Sequence, residues 1–173
     1  MSIADLKKIC QCSDSSEDLK TYGKDWSSNY SANPSAIAFP KSTEEVSQVV
    51  QWARQNKVAI VPSGGRTGLS GAATATEKEV IVSLEKMNQV LHWNPVDFQL
   101  RVQSGVVTET VHQFAEEKGY FFPVDFAAKG SSQIGGNVAT NVGGVRVLKY
   151  GSMRQWVTHL TVVTGTGPFP SRR

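Results

Sequence analysis

The residues able to do chemistry in this 173-residue sequence are built to receive a ligand rather than to attack one. The stretch VPSGGRTGLSG, Val61 to Gly71, places four glycines in eight positions beside Arg66, Thr67 and Ser70. Glycine at that density costs conformational entropy, so a folded chain keeps it where φ is positive or where something comes close to the main chain. Successive amides in such turns make a concavity for anions, and the arginine and hydroxyls add donors suited to phosphate oxygens. The ligand expected is a phosphate or diphosphate; the alternative is a surface loop of generous turns. No lysine follows at P-loop spacing, and the glycines do not form G-x-G-x-x-G. The following AATATEKEVIVSL reads as a turn and a strand, so a diphosphate would rest on a backbone nest and not on a helix N-terminus.

A second stretch, KGSSQIGGNVATNVGGVRVLKYGS from Lys129 to Ser152, holds six more of the 15 glycines, interleaved with Ser131, Ser132, Asn137, Thr140 and Asn141. Two separated loops of this kind suggest one elongated ligand, lying against bare backbone and fixed by directional Asn and Thr bonds. The alternative is a set of tight turns in a small-residue β region. No residue is assigned a catalytic or metal-binding role. Cys10 and Cys12 form a lone C-x-C without a partner pair at metal spacing and read as reduced, half-buried thiols. His92 and His112 fall in strand and helix patterns as solvated or packed side chains, and His159 lies in the strand-like WVTHLTVV.

The elements that must position these loops follow from pattern. Residues 1–35 read as an N-terminal helix and a polar lead-in ending at Asn33-Pro34. AIAF from Ala36 is a strand, Ser42 to Glu45 a capping box, and Val46, Val49, Val50 and Ala53 one apolar helix face. Asn56-Lys57 closes that helix before a strand over Val58–Val61, giving a βαβ unit whose second strand ends at the first glycine loop. Ligands of α/β units gather at such carboxyl ends. EVIVSL, then QVLHW and FQLRVQSG around Asn94–Asp97, read as strands with antiparallel pairing that makes the sheet mixed. Thr108–Lys118 is a second helix with Val111, Phe114 and Ala115 on one face and Gly119 past its end.

Bulk properties agree with a folded α+β chain: 39% of residues are hydrophobic and 19% charged. The net charge of +3 is too small and too scattered for a nucleic-acid footprint, yet compatible with a small anionic ligand. The N-terminus lacks a signal-type apolar run and no window reaches a membrane span, so the expected compartment is the cytoplasm.

Taken together, PSGGRTGLSG, VQSGV, PVDFAAKGSSQIGGNVATNVGGVRVLKYGSMRQWV and LTVVTGTG resemble, in order and over roughly Ala36 to Gly167, the FAD-binding domain of the vanillyl-alcohol oxidase (PCMH) type of flavoprotein. Within it, the likeness is to the group of glycolate oxidase large subunits, D-lactate dehydrogenases and D-2-hydroxyglutarate dehydrogenases. The resemblance implies a two-lobed α+β FAD-binding domain, with residues 36–90 as the βαβ lobe and 91–173 as part of a mixed and antiparallel β-rich lobe. It implies that Pro62, Gly64, Gly65, Arg66, Thr67, Gly68 and Leu69 cradle the FAD diphosphate, and that Ser104, Gly105, Pro123 and Asp125 line the cofactor. Gly130, Ser131, Ile134, Gly135, Gly136, Asn137, Thr140, Asn141 and Gly144 would bracket the ribityl chain and the flavin ring. The implied reaction is oxidation of a 2-hydroxy acid to a 2-oxo acid, with electrons passing to a separate acceptor. Relatives that hold FAD covalently use a His where this loop has Arg66, so noncovalent FAD is expected. The family pattern continues into a substrate domain that supplies the substrate arginines and a catalytic His, whereas this chain stops at PFPSRR. It is therefore expected to be a C-terminally truncated part, inactive alone, with weakly held flavin and with Val162 and Val163 uncovered. The alternatives are an inactive nucleotide-binding fragment and a same-fold NADPH-dependent reductase.

Overall fold

Two apolar runs, AIAF and VIVS, set the architecture of the first lobe. A strand buried on both faces reads as a continuous hydrophobic run, and every residue of both runs is buried. The computed structural model describes residues 3–172. Helix α1 (Ile3–Ile9), strand β1 (Gln11–Ser13) and helix α2 (Ser16–Tyr22) lead to β2 (Ala36–Phe39), α3 (Thr43–Asn56), β3 (Ile60–Ser63) and β4 (Val80–Ser83). The strands form one sheet in the order β1-β2-β4-β3, with β4 parallel to both neighbours and β1 antiparallel to β2.

Side-chain alternation divides the two faces of this sheet. Ala36, Ala38, Val80 and Val82 pack against Leu6 of α1 and Val49, Trp52 and Ala53 of α3. Ile37, Phe39 and Ile81 face Leu19 and Tyr22 of α2 and the buried Ala75. Residues 1–35 thus do more than lead in, since β1 supplies an edge strand and α1 and α2 cover one face each. The sheet is mixed because of β1, and not because of the later hairpin.

Three local readings shift for identifiable reasons. Strand β3 starts at Ile60 and not Val58, because the Val58 and Lys57 N–H groups close α3 on Ala53 and Arg54 carbonyls, with Lys57 left-handed at φ 53°. Ser42 caps α3 by accepting from the Glu45 N–H at 3.1 Å, but the Glu45 carboxylate takes the Lys41 N–H at 2.8 Å instead of that of Ser42. The buried face of α3 is Ser47, Val49, Trp52 and Ala53, with Val46 and Val50 only half-buried.

The second lobe begins with a hairpin of β5 (Val90–Asn94) and β6 (Gln99–Val102), followed by α4 (Thr108–Glu117), α5 (Ile134–Ala139) and α6 (Val147–Tyr150). Its core is Val106, Val111, Val124, Ile134 and Met153. Gly119, at φ 78°, ends α4 as its position suggests. His112 is buried, sends its Nε2–H to the Val124 carbonyl at 3.0 Å and meets Phe122 edge-on. A last hairpin, β7 (His159–Thr164) with β8 (Gly167–Arg172), lies beside α3, where Arg54 donates to the Gly165 carbonyl at 3.0 Å. Among the described residues no helix is long and apolar enough to cross a membrane.

Candidate cofactor-binding site

The first glycine loop leaves the carboxyl end of β3 and meets the second glycine-rich stretch where the lobes touch. Gly65 marks the crossing: a Cβ built there would collide with the Ser131 carbonyl and lie 2.9 Å from the Ser132 Cα. Of the two reasons for glycine in this loop, positive φ and a close approach, the second applies here. Gly65 does not have positive φ; Arg66 does, at 57°. Glycine is required at 65 because another main chain occupies the space of a side chain.

The backbone of the loop is unspent. Among the described residues, no N–H from Gly65 to Ser70 reaches a protein acceptor. Buried amides are almost always paired, so the free donors of the half-buried residues 65–67, continued by those of the exposed residues 68–70, suit an acceptor from outside the chain. Gly64 to Thr67 are half-buried, while Pro62, Gly68 and Leu69 are exposed.

The opposite wall comes from the first turn of α5. The Gly135 N–H goes to the Ser104 carbonyl at 2.7 Å and that of Ile134 to Val106 at 2.9 Å, whereas that of Gly136 has no protein acceptor. No atom lies within 4 Å of a Cβ on Gly136, and a Cβ on Gly64 would sit 4.0 Å from the Gly136 nitrogen. Gln133 projects into the same corner. It is buried, its Oε1 has no partner, and that oxygen lies 3.4 Å from where a Gly64 Cβ would be. A buried Gln133 Oε1 without a partner and a free Gly136 N–H lie beside Gly64, and the loop amides that follow have no protein acceptor, a set that suits an extended ligand rich in both donors and acceptors, as a dinucleotide is.

Other residues singled out from the sequence take structural positions. Gly105 lies where a Cβ would strike the Leu84 carbonyl, and its N–H goes to Met87 at 2.8 Å, locking the two lobes together. Gly144 packs in the same way against Asp125. Pro123 and Ile134 are buried, the latter in the second core. Asn137 donates to Thr108 Oγ1, which also bonds Ser132 Oγ at 2.7 Å, so this amide is turned inward. Thr140 bonds back to the Gly136 carbonyl, and Asn141 accepts from the Arg154 N–H at 2.9 Å. Gly130 and Ser131 are exposed at the rim. Asp125 pairs with Lys129 at 3.1 Å and Arg146 at 3.5 Å, and the hydrogen bond from Lys129 holds its carboxyl below the ordinary carboxylate range.

Three contributions escape a reading of the sequence. Gln133 is one polar residue inside an apparent spacer. Tyr22 stacks on the Arg66 guanidinium, 4.5 Å from carbon to ring centre. Residues 25 and 26 clasp the loop from outside: the Trp26 N–H reaches the Gly68 carbonyl at 2.9 Å, and buried Asp25 accepts from Thr74 Oγ1 at 3.2 Å. The only visible signal for the clasp is the aromatic and polar mixture of DWSSNY. Elsewhere, Cys10 and Cys12 are free thiols with sulfurs 3.8 Å apart, and the Cys12 S–H favours the thiolate of Cys10. Among the described residues no group of three or more His, Cys, Asp or Glu could hold a metal.

With this geometry in view, comparison with known proteins is informative. The family described as FAD binding domain matches residues 34–169. The chain is 56% identical over 151 residues to the D-2-hydroxyglutarate dehydrogenase of Stutzerimonas stutzeri (strain A1501), covering 87% of this chain and 32% of that protein. It is 41% identical over 151 residues to the mitochondrial D-2-hydroxyglutarate dehydrogenase of Bos taurus, covering 87% and 28%. The chain thus spans about a third of the length of the curated relatives it matches. Among solved structures, it superimposes on alkyldihydroxyacetonephosphate synthase with a TM-score of 0.89 and 26% identity, over 98% of this chain and 37% of that one. The 6-hydroxy-D-nicotine oxidase of Arthrobacter nicotinovorans shares the fold, with a TM-score of 0.80 and 23% identity over 94% and 36%.

Proposed function

The chain belongs to the FAD-binding domain family, and from that premise we propose that it is the FAD-holding part of a flavin-dependent dehydrogenase that oxidises a 2-hydroxy acid to the 2-oxo acid. The observation that carries the cofactor reading is the row of N–H groups from Gly65 to Ser70 without protein acceptors, on a loop whose first glycine, Gly64, lies beside Gly136 and Gln133. The substrate class is supported by the 56% identity to a protein named D-2-hydroxyglutarate dehydrogenase, and D-2-hydroxyglutarate is the substrate proposed for the whole protein. A bound flavin supplies two-electron oxidation of a hydroxyl-bearing carbon, with the electrons leaving to an acceptor.

The tasks of this chain are binding and orientation. The amides of the first loop and Arg66 would hold the diphosphate and offset its charge. The Gly136 N–H and the Gln133 amide offer one donor and one amide group to the more polar middle of the cofactor. Arg66 keeps its cofactor noncovalent, because a guanidinium stays protonated and has no lone pair with which to form a bond. The free thiols suit a reducing compartment, for which we propose the cytoplasm.

The test begins with the absorption spectrum of the purified chain and of the chain after incubation with FAD and gel filtration. Retained yellow colour, released as FAD by heat or acid, is the expected result. Release of FMN, or colour that survives denaturation with the polypeptide, overturns the FAD or the noncovalent part respectively.

A further inference from the structure

We propose that Tyr22, on a helix ahead of the span matched by the family, is a positioning residue for the cofactor loop: its stack on Arg66 holds the one left-handed residue in the run of amides that lack protein acceptors. The inference rests on the FAD reading and deepens it. Arg66 has φ 57°, a conformation that costs a non-glycine residue about 1 kcal/mol, so something must hold it there. The loop itself gives little, since the guanidinium reaches the Gly64 carbonyl only at 3.5 Å.

Tyr22 provides the missing hold. Its ring lies under the Arg66 guanidinium at 4.5 Å and meets Phe39 edge-on at 5.0 Å, with planes 83° apart. Phe39 is buried in β2, so the ring is braced by the sheet itself. The Tyr22 hydroxyl donates to Glu85 Oε1 at 2.9 Å, just past the end of β4. Burial and that bond to a carboxylate both raise the phenol's pKa, so it stays a neutral donor at ordinary pH. One side chain thereby ties together the sheet core, the strand beside β3 and the one left-handed residue between Gly64 and Ser70. The clasp of Trp26 on Gly68 adds a second fixed point four residues along the chain from Tyr22.

The experiment is a titration of the full chain with FAD, followed by flavin fluorescence, for wild type, Tyr22→Leu, Tyr22→Phe, Arg66→Gly and the Tyr22→Leu/Arg66→Gly double variant. Leucine keeps apolar bulk on Phe39 but removes the π face. Tyr22→Leu is expected to weaken FAD binding about fivefold, in the range of a partly buried cation–π contact. Tyr22→Phe keeps the face and is expected to bind within about twofold of wild type. Glycine adopts positive φ freely, so Tyr22→Leu is expected to have no effect in the Arg66→Gly background. That coupling separates positioning through Arg66 from general support of the fold. Wild-type affinity in Tyr22→Leu, an equal loss in Tyr22→Phe, or additive losses in the double variant overturn the proposal while leaving FAD binding in place. A wild-type chain that takes up no FAD overturns both.

Discussion

Between Gly65 and Ser70 no polar side chain is buried and the main-chain N–H groups are free, whereas between Ser132 and Asn141 three polar side chains, Ser132, Gln133 and Asn137, are buried and most N–H groups are spent. Asn137 bonds Thr108, Asn141 accepts from Arg154, and the amides of Ile134 and Gly135 tie α5 to residues 104–106. The same residue types therefore do opposite work. In the first loop the backbone offers itself to a ligand and is braced from outside by Tyr22 and Trp26. In the second, side chains fasten a short helix, leaving one N–H without an acceptor, that of Gly136, and one buried carbonyl without a donor, that of Gln133, beside Gly64. Glycine richness alone does not say which is which. What separates them is whether the space over the glycine belongs to protein or is empty.

That contrast is broken most severely at Gly65. Gly65→Val puts a branched side chain into the Ser131 backbone, which neither lobe can vacate without parting. The expected outcome is a loss of about 3 kcal/mol or more of stability, at the upper end of overpacking, with loss of FAD binding. Gly136→Ala is its counterpart. Nothing of the protein lies within 4 Å of the new methyl, and alanine gains up to about 1 kcal/mol over glycine in a helix, so stability holds or rises while FAD affinity falls. Thermal unfolding and flavin titration of both variants check the pair. A stable, FAD-binding Gly65→Val, or a Gly136→Ala with undiminished affinity, shows that the two glycines have been assigned to the wrong tasks.

The sequence carried the parts of this picture that depend on local pattern. The capped α3, the glycine loop at a strand end, the antiparallel β5–β6 pair and the glycine stop of α4 follow from spacing and turn chemistry. What it did not carry is set by long-range pairing. The insertion of β4 between β2 and β3, and the addition of β1 at the edge, join residues far apart in sequence, and β1 at three residues has no periodicity to read. The reason for Gly65 was hidden likewise, because a close approach of Ser131 and a positive φ demand the same residue. Trp52 belongs to the core while Val46 and Val50 stay half-buried, since the sheet meets α3 along a face rotated from the stripe of aliphatic residues.

A middle-sized effect is expected at Asn137. Its buried amide donates to Thr108 Oγ1, which also reaches the Ser132 carbonyl at 3.1 Å. Asn137→Ala removes a donor from a buried network and costs about 1–3 kcal/mol, visible as a lowered unfolding temperature without cofactor. Unchanged stability of the apo chain together with weakened FAD binding would mean that the Asn137 side chain serves the ligand directly and not the fold.

The smallest effect expected is also the one with a distinctive pH signature. Asp125 holds Lys129 and Arg146 across the segment whose carbonyl crowds Gly144. Its folded carboxyl is kept below the ordinary carboxylate range, chiefly by the Lys129 hydrogen bond and then by the charges of Lys129, His112 and Arg146. A group whose pKa is lower folded than unfolded contributes stability above the unfolded value and loses it as pH falls through the folded one. Asp125→Asn should therefore be less stable than wild type at pH 7, by about 0.5 kcal/mol given that both cations are solvent-accessible. The gap should close in the acid range, once wild-type Asp125 is itself protonated. Unfolding temperatures of the two proteins measured from pH 7 downward test this. A gap that is constant with pH would mean that the charge of the Asp125 carboxylate, and with it the pairing to its two cations, contributes nothing to holding the second loop.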